Sequence, residues 1–248
     1  MGVLPPATTE EAFAAISQDE AALRPAVEQL HDGWGYVLMS RLPGVPLDAI
    51  WDQVSAQDRD RSAGRLGETM AALHQLPLPT INDWQPADWP AFVAHQREHC
   101  ADEQRALGLP ALWADQIPEF LDAVTLPSGP PALLHTEVMR EHLLASESRE
   151  GRWQLSGLID FEPAMRGEPE YEFVSVGVFT AGGDARFLAR TLTSYGYHPG
   201  QLGPELRRRL LALGILHRYS NLSWWMERLP GPAQPTLGAL ADRWFATD

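Results

Sequence analysis

Two short segments carry the side chains best suited to chemistry. His135-Thr136-Glu137-Val138-Met139-Arg140-Glu141-His142 lies between two short apolar stretches, and Ile159-Asp160-Phe161-Glu162 closes a third. Carboxylates at neighbouring strand ends can converge on one proton or one divalent cation, which makes Glu137 and Asp160 the candidates for that work. The same letters allow a second chemistry. His135-x-Glu137 followed by His142 has the spacing of a two-histidine, one-carboxylate iron or zinc site. The plain alternative is that these acids are solvated loop residues. The whole chain narrows the choice. Among its 248 residues all 19 bases are arginine and none is lysine. A Schiff base, a lysine general base and a Walker-type phosphate lysine are therefore excluded. A single cysteine, Cys100, excludes an internal disulfide and a cysteine-based zinc cluster. The 33 acids leave a net charge of −14, which opposes nucleic-acid binding. It suits either a polycationic small molecule or simple solubility.

Several elements must position these residues. Thr8 to Glu11 forms a capping box that opens a helix to about residue 30. Tyr36–Leu42 reads as a strand, broken by Pro43-Gly44-Val45-Pro46. Helices are predicted over about 48–54 and 58–76, the second with a Leu66, Met70, Leu73 stripe. The Pro- and Trp-rich stretch 77–90 reads as an irregular connection. Further helices are predicted over 91–106, 110–124, 170–180, 185–195, 204–226 and 237–245. Short strands at 132–134, 143–145 and 153–160 make a hairpin-like unit with the polar residues at its strand ends. The class is α+β, mostly helical. His217, Tyr219, Trp224 and Trp225 fall on one long helix and read as core. Arg207-Arg208-Arg209 reads as a solvated run. His95 and His99 share a helix face at zinc-chelating spacing, with no carboxylate beside them in the sequence. No apolar run is long enough to span a membrane and no signal peptide is visible, so a cytoplasmic location is the default expectation.

The order "YVLMSRLPGVPL … LGETMAALHQLP … LLHTEVMREHLL … LSGLIDFEPAMRGEPEYEF … LLALGILHRYSNLSWWMERL" resembles the aminoglycoside phosphotransferase family, with the hygromycin B kinases the most similar in layout. The resemblance covers roughly residues 33–245. It implies a protein-kinase-like fold: a residual N-terminal lobe over 1–42, made of a helix and the hinge strand, and a helical C-terminal lobe over 43–248. It implies that ATP or GTP sits near Met39, Ser40, Arg41 and Leu42. It also implies magnesium, a small-molecule acceptor hydroxyl, and Glu137 in the place of the catalytic aspartate that takes the hydroxyl proton. Asp160 matches the metal-binding aspartate. His135 matches the loop histidine, and Glu162 and Tyr171 belong to the supporting residues.

The departures from that family are specific. Glu137 carries one methylene more than aspartate, enough to misplace a carboxylate by about 1 Å. His142 stands where an asparagine holds the second magnesium, and magnesium prefers oxygen donors. Glu168 and Glu172 replace two further aspartates. No glycine-rich loop and no lysine precede the hinge, as if most of the small lobe had been deleted, and Arg24 is the only arginine there. Three readings stay open. One is a working phosphotransferase for a cationic small molecule such as an aminoglycoside. One is a degenerate, pseudokinase-like or resistance protein that only binds its ligand. The third is a repurposed metal enzyme built on His135, Glu137 and His142. A missing small lobe would bare the hinge edge, so a homodimer covering it is expected.

Overall fold

The computed structural model describes residues 41–78 and 85–248. The leading helix, most of the hinge strand, Met39 and Ser40 lie outside the described residues. The chain divides into Met1–Arg41 and Leu42–Asp248. The elements of the second unit are numbered among the described residues.

Two small sheets and a helical body make up this unit. The first sheet has the order β1-β3-β4, with β1 Val45–Pro46, β3 Leu143–Glu147 and β4 Trp153–Leu158, all antiparallel. The second pairs β2 Ala132–Leu134 with β5 Met165–Gly167. The expected single hairpin unit is thus split. β2 leaves β3 and pairs instead with β5, which its polar Arg166 kept out of the hydrophobic pattern. The break expected at 43–46 is partly a strand: Val45 and Pro46 pair with Ala145 and Leu144. Gly44 permits this at φ +120°, because a Cβ there would lie 2.6 Å from the Ala145 carbonyl oxygen.

The helical body starts with the single turn α1, Leu47–Ile50. Then comes α2, Ala56–His74, whose N-cap Ser55 accepts the Asp58 N–H. Its Leu66, Met70 and Leu73 are buried as the spacing requires. Gly67 lets α2 press against α7, Ala185–Tyr195. A Cβ at Gly67 would stand 2.1 Å from the Thr191 carbonyl oxygen. α3 spans Trp89–Ala106 and is capped by Asp88.

Two predicted helices are interrupted. The stretch 110–124 becomes α4, Ala111–Ala114, and α5, Ile117–Asp122. Pro118 has no N–H for a continuous helix, so the chain restarts with proline in the first turn. α6, Glu172–Ser175, runs into a wider turn over Val176–Ala181, where the Gly182 N–H reaches back five residues to the Gly177 carbonyl. The long 204–226 helix is α8, Pro204–Ile215, then α9, Leu222–Met226. The break survives inside the core because two buried amides on α3 serve it. Gln96 donates to the Leu216 carbonyl at 3.2 Å, and Gln104 accepts the Leu222 N–H at 2.8 Å. α10 is Leu237–Trp244. No helix among the described residues is long and apolar enough to cross a membrane.

Candidate functional site

The 135–142 segment is an irregular loop leaving β2 and entering β3, and its first half is held by side chains behind it, while the Arg140 and His142 carbonyls accept the Asp48 and Ile159 N–H groups. Glu172, fully buried, accepts the His135 N–H at 2.6 Å and the Thr136 N–H at 2.7 Å, one on each carboxylate oxygen. The Val138 N–H donates to Ser175 Oγ at 3.1 Å, and the Val138 carbonyl accepts Thr180 Oγ1 at 2.7 Å. Arg140 Nε donates to the Thr180 carbonyl at 2.8 Å. The wide turn at 176–181 therefore faces the loop with both a hydroxyl and a carbonyl from Thr180. The Arg140 guanidinium lies 3.8 Å from the centre of the Trp51 ring, and that of Arg59 lies 4.2 Å from it. His74 stands behind Glu172, with Nε2 3.5 Å from its carboxylate and Nδ1 2.9 Å from Tyr195 Oη.

Thr136 adopts φ +70°, a conformation that costs a β-branched residue energy. Three contacts fix it: the Glu172 carboxylate on its N–H, its own Oγ1 donating to the Pro163 carbonyl at 3.1 Å, and Arg218 Nη2 on Oγ1 at 3.2 Å. Arg218 Nη2 also donates to the Pro163 carbonyl, joining the 135–142 loop to the chain after Asp160. Tyr171 is buried. Its hydroxyl accepts the Arg218 N–H at 2.8 Å, and its ring stacks on His217 with centroids 4.6 Å apart. Burial, helped by the Arg218 charge, pushes the His217 imidazole down to about 3, so it is neutral.

Two histidines tie the front of the loop to Asp160. His135 is buried. Its Nε2 lies 2.8 Å from the Ile159 carbonyl, and its Nδ1 accepts the Glu137 N–H at 3.3 Å. Burial lowers its pKa. His142 reaches both acids' segments. Its Nδ1 lies 2.9 Å from the Glu137 carbonyl and its Nε2 3.3 Å from Asp160 Oδ2. The His142 side chain keeps 15% of its surface exposed and that of Asp160 46%. Asp160 itself sits at φ +68°. Glu137 is half-buried, while Phe161 and Glu162 are exposed.

The expected site residues thus separate. Glu137, His142, Asp160 and His135 form one connected group, and Tyr171 buttresses it through Arg218. Glu162 lies on the exposed turn. Arg41 and Leu42 are exposed, and Leu42 packs over Gly157 of β4. The iron or zinc triad of His135, Glu137 and His142 is not assembled. Both His135 ring nitrogens are engaged by the backbone, and no three metal-capable groups converge among the described residues. The arginine run is not simply solvated. Arg209 makes two 2.8 Å bonds to the largely buried Glu170, which also accepts Tyr197 Oη, and Arg207 pairs with Asp242 and Asp248. The His95 and His99 rings lie 4.3 Å apart, tilted to each other by 37°, on the exposed side of α3.

Thr136, Ser175, Thr180 and Arg218 carry no signal in composition or periodicity. Against a magnesium ion the donor set divides: the Asp160 carboxylate is a hard oxygen ligand and fits, whereas the His142 imidazole does not.

The strand–loop–strand with its buried carboxylate anchor, set in a mostly helical lobe, defines a kinase-like fold. The sequence model described as "Phosphotransferase enzyme family" (APH) matches residues 7–210, and the chain belongs to that family. The GDP complex of aminoglycoside 2'-phosphotransferase-IIIa is similar at TM-score 0.54 and 18% identity, over 75% of this chain and 65% of that one. The ADP-bound aminoglycoside phosphotransferase APH(2'')-Ib is similar at TM-score 0.50 and 12% identity, over 92% of this chain and 84% of that one. Lysine-specific demethylase JMJ21 of Arabidopsis thaliana is 22% identical over 205 residues. The match covers 66% of this chain but only 21% of that protein.

Proposed function

We propose that this protein transfers the terminal phosphoryl group of ATP or GTP to a hydroxyl of a cationic small molecule, of which an aminoglycoside is the type. One observation carries the reading: His142 links the Glu137 backbone to the Asp160 carboxylate, so the loop that would take a proton and the loop that would hold a cation form one unit. Glu137 is the proton acceptor. Its carboxylate orients the acceptor hydroxyl, whose oxygen bonds to the γ-phosphorus as the bond to the β-phosphate oxygen breaks, and the hydroxyl proton passes to Glu137. Glu172, Ser175 and Thr180 fix the loop backbone, so that Glu137 alone adjusts to the acceptor. The nucleotide lies toward Met39, Ser40, Arg41 and Leu42, with residues 1–42 as the small lobe and 43–248 as the large one. No step is routed through magnesium, because His142 does not suit it. The excess of acid over base supports a cationic acceptor. A cytoplasmic resistance protein, acting alone or as a homodimer, fits the same reading.

A second reading is favoured by the absence of lysine from the whole chain: a degenerate relative that binds the acceptor without transferring phosphate. Melting curves separate the two. A transferase is stabilised by nucleotide plus divalent cation. A ligand at 100 times its Kd adds about 2.7 kcal/mol. A degenerate binder responds to the cationic ligand alone.

A further inference from the structure

We infer that the cavity between α3, the 126–131 segment and α8 is a ligand site separate from the Glu137–Asp160 group, and that it takes a small organic monocation: one protonated amine, held by Glu168, on an apolar or aromatic body. The inference does not depend on phosphotransfer. The cavity has a volume of about 670 Å³, within the roughly 300–1,000 Å³ usual for small-molecule pockets. Its place follows from the β2–β5 ladder. Leu134 pairs with Met165 at the end where the 135–142 loop leaves, and Ala132 pairs with Gly167 at the other end. Glu168 follows Gly167, so its backbone stands a strand's length, about 10 Å, from the start of that loop.

Three successive glutamates show why Glu168 differs. Glu168, Glu170 and Glu172 are all buried. Glu172 gives one oxygen to each of two backbone amides, and Glu170 is satisfied by Arg209 and the Tyr197 hydroxyl. Glu168, 8% exposed, has one partner among the described residues: its Oε2 accepts the Gly129 N–H at 3.0 Å. Oε1 has none among them, and this is the carboxylate that lines the cavity. A buried carboxylate with an unused oxygen is costly unless a cation or donor meets it. Burial raises the Glu168 pKa accordingly, and an ammonium beside it would favour the ionised form again. The walls around it are largely apolar: Trp89 and Val93 from α3, Leu126 and Pro127, and Leu213 from α8. Trp89 is held edge-on to Tyr171, with centroids 5.1 Å apart, and packs on Gly167, where a Cβ would lie 2.5 Å from its ring. Two arginines also reach the cavity. Arg97 is paired with Asp122 at 3.2 Å, and Arg166 is exposed. Their charge opposes a second positive group on the ligand. Asp88, the other acid there, is spent on capping α3. One amine therefore fits where a polycation does not, which separates this ligand from the acceptor proposed above.

Titration of the full chain with phenethylammonium, followed by saturation-transfer NMR, tests this against phenethyl alcohol, which has nearly the same body without the charge. The expected result is saturable binding of the amine, at least about tenfold tighter than the alcohol. Glu168→Gln keeps an acceptor for the Gly129 N–H and weakens the amine on the order of tenfold. Val93→Phe fills the cavity and weakens both ligands. Asp160→Asn leaves amine binding within about twofold, as expected of a distant site. Melting curves check that each variant folds, and Val93→Phe with the alcohol comparison decides if Glu168→Gln does not. No saturable amine binding below about 10 mM, equal affinity for the alcohol, or unchanged binding in folded Glu168→Gln or Val93→Phe overturns the inference. Loss of binding in Asp160→Asn also overturns it, because the amine would then sit at the front of the 135–142 loop.

Discussion

The back and the front of the 135–142 loop are built on opposite terms. At the back, Glu172 is fully buried and spends both oxygens on backbone amides, and Ser175, Thr180, Tyr171 and Arg218 complete the hold. At the front, Glu137, His142 and Asp160 keep open surface, and the His142 imidazole joins the Glu137 backbone to the Asp160 carboxylate. Both faces depart from the family pattern, but with different consequences. At 172 a glutamate delivers its two acceptors to two backbone amides. Histidine for asparagine at 142 changes the donor element itself. The loop's shape is set by buried hydrogen bonds, while its reactive groups stand at the surface.

The sharpest way to break this contrast is Glu172→Ala. It strands two buried N–H groups beside His74 and should cost about 3–5 kcal/mol in urea unfolding. A loss under about 1 kcal/mol would mean the back is not the anchor. Arg218→Met comes next, at about 1.5–3 kcal/mol, since it removes charged donors from Thr136 Oγ1 and the Pro163 carbonyl. In that background Thr136→Gly should recover about 1 kcal/mol by relieving the left-handed threonine. Further destabilisation would show that Oγ1 matters more than the strain.

Acid should reveal the back as well. His135 and His217 have pKa values lowered by burial, the second to about 3. Below pH about 6.5 the unfolded chain takes up protons that these native imidazoles refuse. Stability is therefore full above that pH and, for His217, falls through the window down to about 3 by up to about 1.4 kcal/mol per pH unit, with His135 acting in the same direction. Glu168, whose pKa burial raises, acts in the opposite sense near and above 4.5 and offsets a part. His217→Phe should flatten the slope measured by thermal melting across that range. The smallest expected effect is at the front: Glu137→Gln should change stability by no more than about 0.5 kcal/mol.

The same division governs what the sequence disclosed. The helical class, α2 with its Leu66/Met70/Leu73 stripe, and the segments around Glu137 and Asp160 were legible because periodicity and residue type mark them directly. β5 was hidden because Arg166 interrupts its three residues. The break at 216–221 was hidden because its partners, Gln96 and Gln104, are more than a hundred residues away. The Glu170–Arg209 pair was missed for the same reason, since a run of arginines looks solvated until the distant carboxylate is seen. The His142 bridge was half visible: its place in the loop could be read, but not that one nitrogen meets the Glu137 backbone carbonyl and the other the Asp160 carboxylate.

Transfer of labelled γ-phosphate from ATP or GTP to a panel of cationic antibiotics is the most direct measurement. It should be run on the unaltered chain with Mn²⁺ and with Mg²⁺, beside Glu137→Gln and Asp160→Ala. The account predicts a labelled acceptor with the unaltered chain and a loss on the order of 100-fold or more in each variant. Undiminished turnover in Glu137→Gln, or bound nucleotide and acceptor with no label transferred, would contradict it.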